Sequence, residues 1–229
     1  MQLLIINPNT TQSMTTKIAD AANSVALSDT TITAVNPAAG PASIQGYYDE
    51  AACMPGILDL VKQHQGMDAI VLACFDDTGL DAVRCMTDSP VLGIGEAAYH
   101  AASVLSNRFS VVTTLARSVP ALKHNLMKYG LAARCSGVRS SEVPVLDLEK
   151  PGSDARDQIS KEIRLALSED KAEAIVLGCA GMTDLAKSLT SEHGVPVLDG
   201  VVCAVSWAES LVRVGLNTSN SGGYTPAVI

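Results

Sequence analysis

Ala69-Ile-Val-Leu-Ala-Cys74 and Ala174-Ile-Val-Leu-Gly-Cys179 are almost one hexapeptide written twice, 105 residues apart. A second pair, Pro90-Val-Leu-Gly93 and Pro196-Val-Leu-Asp199, follows at an offset of 106. Two motifs that keep one spacing point to an internal duplication. The expected organisation is an N-terminal lobe over residues 1–105 and a C-terminal lobe over 106–229. A tail from about residue 214, rich in Ser, Asn and Gly, is expected to cross to the other lobe.

Each hexapeptide is apolar at every position before its cysteine, so it fits a strand covered on both faces. Similar short runs at 3–6, 31–35, 91–93, 109–113 and 195–198 read as strands. Amphipathic stretches at 14–24, 51–63, 97–105, 119–129, 155–168 and 202–212 read as helices between them. This alternation, with the repeat, predicts an α/β fold of two similar lobes, each a mostly parallel sheet flanked by helices.

Composition narrows the function. Of the 229 residues 47% are hydrophobic and 3% aromatic, which calls for an aliphatic core. The net charge of −8, with no run of Lys or Arg, argues against nucleic acid and against an anionic membrane surface. The N-terminus, Met-Gln-Leu-Leu-Ile-Ile-Asn-Pro-Asn, has no basic region and too short an apolar run for a signal peptide, so a cytoplasmic location is expected. Cysteines 53, 74, 85, 135, 179 and 203 are scattered without a C-x-x-C pair, which supports neither zinc nor a disulfide framework. No lysine follows a strand as a Schiff base requires, and there is no P-loop or G-x-G-x-x-G, so neither a cofactor nor a metal is expected.

In open α/β sheets ligands bind beyond the carboxyl ends of the strands. Cys74 and Cys179 both stand there, each at the entrance to a helix whose N–H groups and dipole are expected to favour the thiolate. A single cysteine ending an apolar strand is most simply a small buried hydrophobe, and Cys53, Cys85, Cys135 and Cys203 are read that way. If a pseudo-two-fold axis relates the lobes, two cysteines at this repeat offset face each other across a cleft, which suits the inversion of a carbon acid, with a base on one face and an acid on the other. Asp76 and Asp77 read as N-caps of the following helix, with Asp76 close enough to Cys74 to matter. Thr113 and Thr114 end a strand, where their hydroxyls serve a ligand or a cap. His100 reads as packed or capping.

Taken together, Ile6-Asn-Pro-Asn-Thr10, Ala73-Cys-Phe-Asp-Asp77, Gly79-Leu-Asp81, Arg108-Phe-Ser-Val-Val-Thr-Thr114, Val176-Leu-Gly-Cys-Ala-Gly-Met182 and Pro196-Val-Leu-Asp-Gly200 resemble the hydantoin racemases. That family includes allantoin racemase and belongs to the aspartate/glutamate racemase superfamily. The resemblance implies that the two lobes are related by pseudo-two-fold symmetry, with the active site in the cleft between them. It implies a two-base mechanism without metal or cofactor, with Cys74 and Cys179 as the catalytic pair. It also implies substrate contacts from Asn9, Ser43, Ile44, Phe75, Asp76, Thr113, Thr114, Ala180 and Gly181, several through backbone N–H groups. Acidic amino-acid racemases typically show Cys-Asn-Thr and Cys-Thr-His at the two sites. Here Cys74-Phe-Asp and Cys179-Ala-Gly lack those polar neighbours, which favours a neutral cyclic amide. The expected activity is racemisation of 5-monosubstituted hydantoins, allantoin among them, by a homo-oligomer. The alternatives are racemisation of an acidic amino acid, or ligand binding without catalysis on the same scaffold.

Overall fold

A computed structural model describes residues 1–150 and 152–226. In the first lobe β1 (Gln2–Ile6), β2 (Thr31–Val35), β3 (Ala69–Leu72) and β4 (Val91–Gly93) form a parallel sheet ordered β2-β1-β3-β4. In the second β5 (Phe109–Thr113), β6 (Cys135–Ser140), β7 (Ala174–Gly178) and β8 (Val197–Leu198) form another, ordered β6-β5-β7-β8. The two orders are the same, so the duplicated hexapeptides occupy equivalent strands, β3 and β7. Each sheet changes winding direction between its first and third strands, the position at which such sheets open a crevice for ligand.

Burial explains why these strands lack a polar face. Leu3 and Ile5, Ala69 and Val71, Phe109 and Val111, and Ala174 and Val176 face one large core shared by the lobes. Their neighbours Leu4, Ile6, Ile70 and Leu72 face a core private to the first lobe, and Val112, Ile175 and Leu177 one private to the second. The period-2 alternation of a strand therefore selects between two cores.

Among the described residues eight α-helices cover the sheets: α1 (Gln12–Asn23), α2 (Tyr47–Gln63), α3 (Leu80–Arg84), α4 (Ile94–Leu105), α5 (Val119–Lys128), α6 (Ala155–Ser168), α7 (Ala186–His193) and α8 (Gly200–Arg213). The last helix of each lobe lies in the shared layer, where α4 packs on α8 and on β7 while α8 packs on β3 and β4. Val201, Ala204, Val205 and Ala208 of α8 are fully buried there beside Ala97, Ala98 and Tyr99 of α4. Among the described residues no helix is long and apolar enough to cross a membrane.

Two details differ from the sequence reading, an unread strand and the starts of two helices. Strand β6 is unforeseen, because Cys135-Ser-Gly-Val-Arg-Ser140 is half-buried along its whole length and carries Arg139, which Asp170 holds at 2.6 Å. An edge strand with polar side chains has no apolar alternation to read. Helix α4 begins at Ile94 rather than 97 and α2 at Tyr47 rather than 51. The residues after α8 cross onto the first lobe, where Thr218 donates its N–H to Asp88 O and its hydroxyl to Ser89 O, both at 2.7 Å.

Candidate active site

The carboxyl ends of the four central strands converge on one small cavity of about 40 Å³, partly open to solvent. Pro8 and Asn9 follow β1, Ala73 to Asp76 follow β3, Thr113 and Thr114 close β5, and Gly178 to Ala180 close β7. The cavity thus sits at both winding-reversal points at once, between the lobes. Met14, Ile44, Leu122 and Val145 supply apolar walls. Among the described lining residues there is no Lys or Arg, and Asp76 is the one carboxyl.

The β3 loop turns tightly after Cys74. The Cys74 thiol donates to Asp76 Oδ1 at 2.7 Å, and the same oxygen accepts the N–H of Thr78 at 3.3 Å and its hydroxyl at 2.8 Å. Crowding by protein atoms, and then the charge and hydrogen bond of Asp76, push the Cys74 thiol well above its ordinary pKa. This overturns the expectation that a helix N-terminus lowers it. The nearest anion is 2.7 Å away, while the five-residue α3 begins six residues on, beyond the one-turn reach of its dipole. Cys74 therefore rests as a thiol.

The capping expectation for the two aspartates also needs correcting. Asp76 makes the loop turn just described and does not cap α3, whose N-cap is Gly79. Asp77 caps α4: its Oδ1 accepts the Gly95 N–H at 3.0 Å and its Oδ2 the Glu96 N–H at 2.8 Å. Tyr129 adds its hydroxyl to Oδ2 at 2.8 Å. This explains the early start of α4, because the cap comes from a loop 18 residues upstream. In the second lobe Asp199, at the end of β8, caps α8 directly through the Val201 N–H at 2.8 Å.

Cys179 opens a 3-10 turn, Ala180–Leu185, and its sulfur accepts the Gly181 N–H at 3.4 Å. The preceding Gly178 has a structural reason: a Cβ there would approach the Cβ of Thr113 to 2.8 Å. Thr113 lies fully buried across that gap and donates its hydroxyl to Gly178 O at 2.9 Å. Its hydroxyl thus joins β5 to β7.

Of the residues singled out from the sequence, the cavity brings together Asn9, Ile44, Cys74, Phe75, Asp76 and Thr113. Thr114, Cys179 and Ala180 complete that group. Ser43 and Gly181 stand behind the surface: Ser43 accepts from the Gln45 amide, and Gly181 reaches the site through the Cys179 sulfur. The Asn9 side chain is held internally, its oxygen accepting from the Asn7 amide and the Thr11 N–H. Sequence reasoning missed Met14, Ser118, Leu122 and Val145, ordinary helix or loop residues whose place depends on the lobes meeting. It also missed Glu50, whose carboxyl lies against Asp76.

Comparisons with known proteins bear on this arrangement. A profile of the family described as Asp/Glu/Hydantoin racemase matches residues 3–208, which include both cysteine loops. A hydantoin racemase from Pseudomonas sp. (strain NS671) is 46% identical over 226 residues, spanning 98% of this chain and 91% of that protein. Among solved structures, allantoin racemase from Klebsiella pneumoniae is 43% identical with a TM-score of 0.97, covering 100% of this chain and 94% of that one. Allantoin racemase from Pseudomonas fluorescens is 40% identical with a TM-score of 0.97, covering 100% of this chain and 98% of that one. The duplicated strands and the cleft between them are thus those of a known enzyme group: the chain belongs to the Asp/Glu/Hydantoin racemase family and is a racemase.

Proposed function

We propose that the protein racemises 5-monosubstituted hydantoins, allantoin among them, by passing a proton between Cys74, the ring carbon C5 and Cys179, without metal or organic cofactor. The observation that carries this reading is the presence of two thiols from equivalent strands on one inter-lobe cavity. C5 of a hydantoin lies beside a carbonyl, so its carbanion is an enolate and needs no external electron sink. One thiolate takes the C5 proton, and the electron pair of the C–H bond delocalises onto the carbonyl oxygen. The opposite thiol then returns a proton to the other face, leaving the two sulfurs with exchanged protonation. Backbone N–H groups of the turns after β3 and β7 serve as donors to the enolate oxygen.

The walls support a neutral ring. Phe75, Met14, Leu122 and Ala180 offer apolar surface, and no lining cation stands ready for the carboxylate of a free amino acid. The relatives named hydantoin racemase and allantoin racemase are consistent with that substrate class. The test is incubation of one enantiomer of a 5-substituted hydantoin, and separately of allantoin, in deuterated water. Loss of optical rotation with deuterium at C5 is the expected result. Activity on aspartate or glutamate with none on any hydantoin would refute the substrate class.

A further inference from the structure

A two-base racemase ends each turnover with its thiol protons exchanged, so it must reset before it accepts the same enantiomer again. We propose that Glu50 and Asp76 form a carboxyl pair that carries protons between Cys74 and solvent, and so supplies the Cys74 half of that reset. This rests on the racemase reading above.

The geometry begins at the sulfur. Asp76 Oδ1 takes the Cys74 S–H bond at 2.7 Å, and the Thr78 N–H and hydroxyl hold that oxygen in place. On its other side Asp76 meets the carboxyl of Glu50, which projects from the first turn of α2. Glu50 Oε1 is buried and receives no donor from the described residues. Among the described residues neither carboxyl has a cationic partner in an ion pair. Two carboxyls in contact without a cation disfavour two charges at once, so the pair keeps a proton at Glu50.

The surroundings favour that state. Asp49, Asp76 and Cys53 face Glu50, and the Cys53 sulfur donates to Glu50 O at 3.2 Å. Cys74, Thr78 and Glu50 face the Asp76 carboxyl, while the Asn125 amide binds its backbone carbonyl. Burial, and then these acids, push the Glu50 carboxyl up to about 7, where it exchanges protons readily near neutrality. Glu50 is half-buried, so the far end of the pair reaches water.

The transfer balances simply. With the pair holding one proton, Glu50 releases it to water, which becomes hydronium. Asp76 then takes the Cys74 proton and passes it to Glu50, leaving a Cys74 thiolate and the pair again with one proton. The reverse sequence reprotonates Cys74 from hydronium. Glu50 acts through Asp76 and is a positioning residue.

The test compares wild type with Glu50→Gln and Glu50→Asp. Resetting follows product release, so Glu50→Gln should lower kcat about fivefold or more while kcat/KM stays within about twofold. Added imidazole buffer should restore kcat by exchanging the proton directly, and Glu50→Asp should recover part of it. A parallel fall of kcat and kcat/KM without buffer rescue overturns the proposal, as does an unchanged kcat. A second readout needs no substrate: the rate of iodoacetamide labelling at Cys74, mapped by mass spectrometry across pH. Removing the charge that Glu50 acquires above neutrality should make labelling at pH 8 about threefold faster in Glu50→Gln. An unchanged labelling profile overturns the carboxyl pair. If wild type racemises no hydantoin, the racemase reading fails separately, and labelling alone decides the pair.

Discussion

Asn125 donates its side-chain amide to the backbone carbonyl of Asp76 at 2.6 Å, so a helix of the second lobe holds the cysteine loop of the first. The converse contact exists. Lys17, on α1, donates to the carbonyl of Gly181 at 3.4 Å and pairs with Asp184 at the same distance. Helices α1 and α5 each follow the first strand of their lobe, so each lobe's first helix braces the other's cysteine loop. A cavity built this way depends on the relative placement of the lobes, because neither lobe holds its own thiol unaided.

Asn125 is therefore expected to matter for rate more than for binding. It lies outside the cavity wall, and its loss removes one part-buried hydrogen bond, worth about 1 kcal/mol of stability. Asn125→Ala should lower kcat several-fold with little change in KM, because the loop carrying Cys74 loses its tether while the apolar walls stay. Lys17→Met should have a smaller effect, since the Asp184 side chain it pairs with is 56% exposed. Steady-state kinetics on the two variants check the ranking.

The Asp77 carboxyl fills the space beside Gly93, where a Cβ on that residue would overlap its Oδ1. A Cβ on Gly95 would come within 2.7 Å of Oδ2. Asp77 cannot swing away, because Gly95, Glu96 and Tyr129 hold both its oxygens. Gly93→Ala should cost about 2–4 kcal/mol by overpacking. Asp77→Ala should cost about 1–2 kcal/mol or more through the lost cap. In the double variant the carboxyl is gone and the added methyl meets only the remaining Cβ of residue 77 at 3.1 Å, so the two costs should fall well short of their sum. Additive costs in denaturant unfolding would refute the steric reading.

These contacts show where sequence reasoning succeeds. The strands stood out because every central one is buried on both faces, and the cysteines because their strands recur at one offset. Asp77 was visible as a cap, but its helix was not: the contact joins residues 77 and 95 across a loop and a strand. Glu50 carried no signal at all, since an acidic residue in the first turn of a helix is ordinarily explained by the helix dipole. Its contact with Asp76 arises only when α2 packs beside the β3 loop. Likewise the helix-entrance position of Cys74 suggested a favoured thiolate, and the acid two residues along the chain reversed that expectation.

Buried acids also set how stability responds to pH. Burial pushes both Asp77 and Asp199 up to about 7. Each then holds a proton in the folded protein that the unfolded chain releases at ordinary carboxylate pH. Between about pH 4 and 7 the folded state binds more protons, so stability falls as pH rises through that window and levels off above it. Asp81, lowered chiefly by Lys128 against the pull of burial, contributes stability that is fully present above the ordinary carboxylate range and is lost only as pH falls below it, so it leaves this slope alone. Thermal unfolding should show a Tm several degrees higher at pH 5 than at pH 8. Asp199→Asn should flatten the slope, because its oxygen keeps the Val201 bond while its charge is gone. A steeper slope in that variant would contradict the assignment.

The two thiols make separable predictions. On the proposed mechanism each thiol faces one side of C5, so each single variant keeps the base for one enantiomer, lacks the acid that would complete its inversion, and lacks the base for the other enantiomer. Cys74→Ser and Cys179→Ser should each lose racemisation by about a thousandfold or more, since a serine hydroxyl is a far weaker acid than a thiol. Each should still wash deuterium into C5 of a single enantiomer without inversion, and the two variants should choose opposite enantiomers. The pH dependence should differ as well. With Cys74 held as a thiol by Asp76, exchange in the Cys179→Ser protein depends on the scarce Cys74 thiolate and should climb steeply with pH. Proton NMR of each enantiomer in deuterated buffer from pH 6 to 9 measures all of this. Exchange of both enantiomers by one variant would mean that a single base reaches both faces, and the two-thiol mechanism would fall.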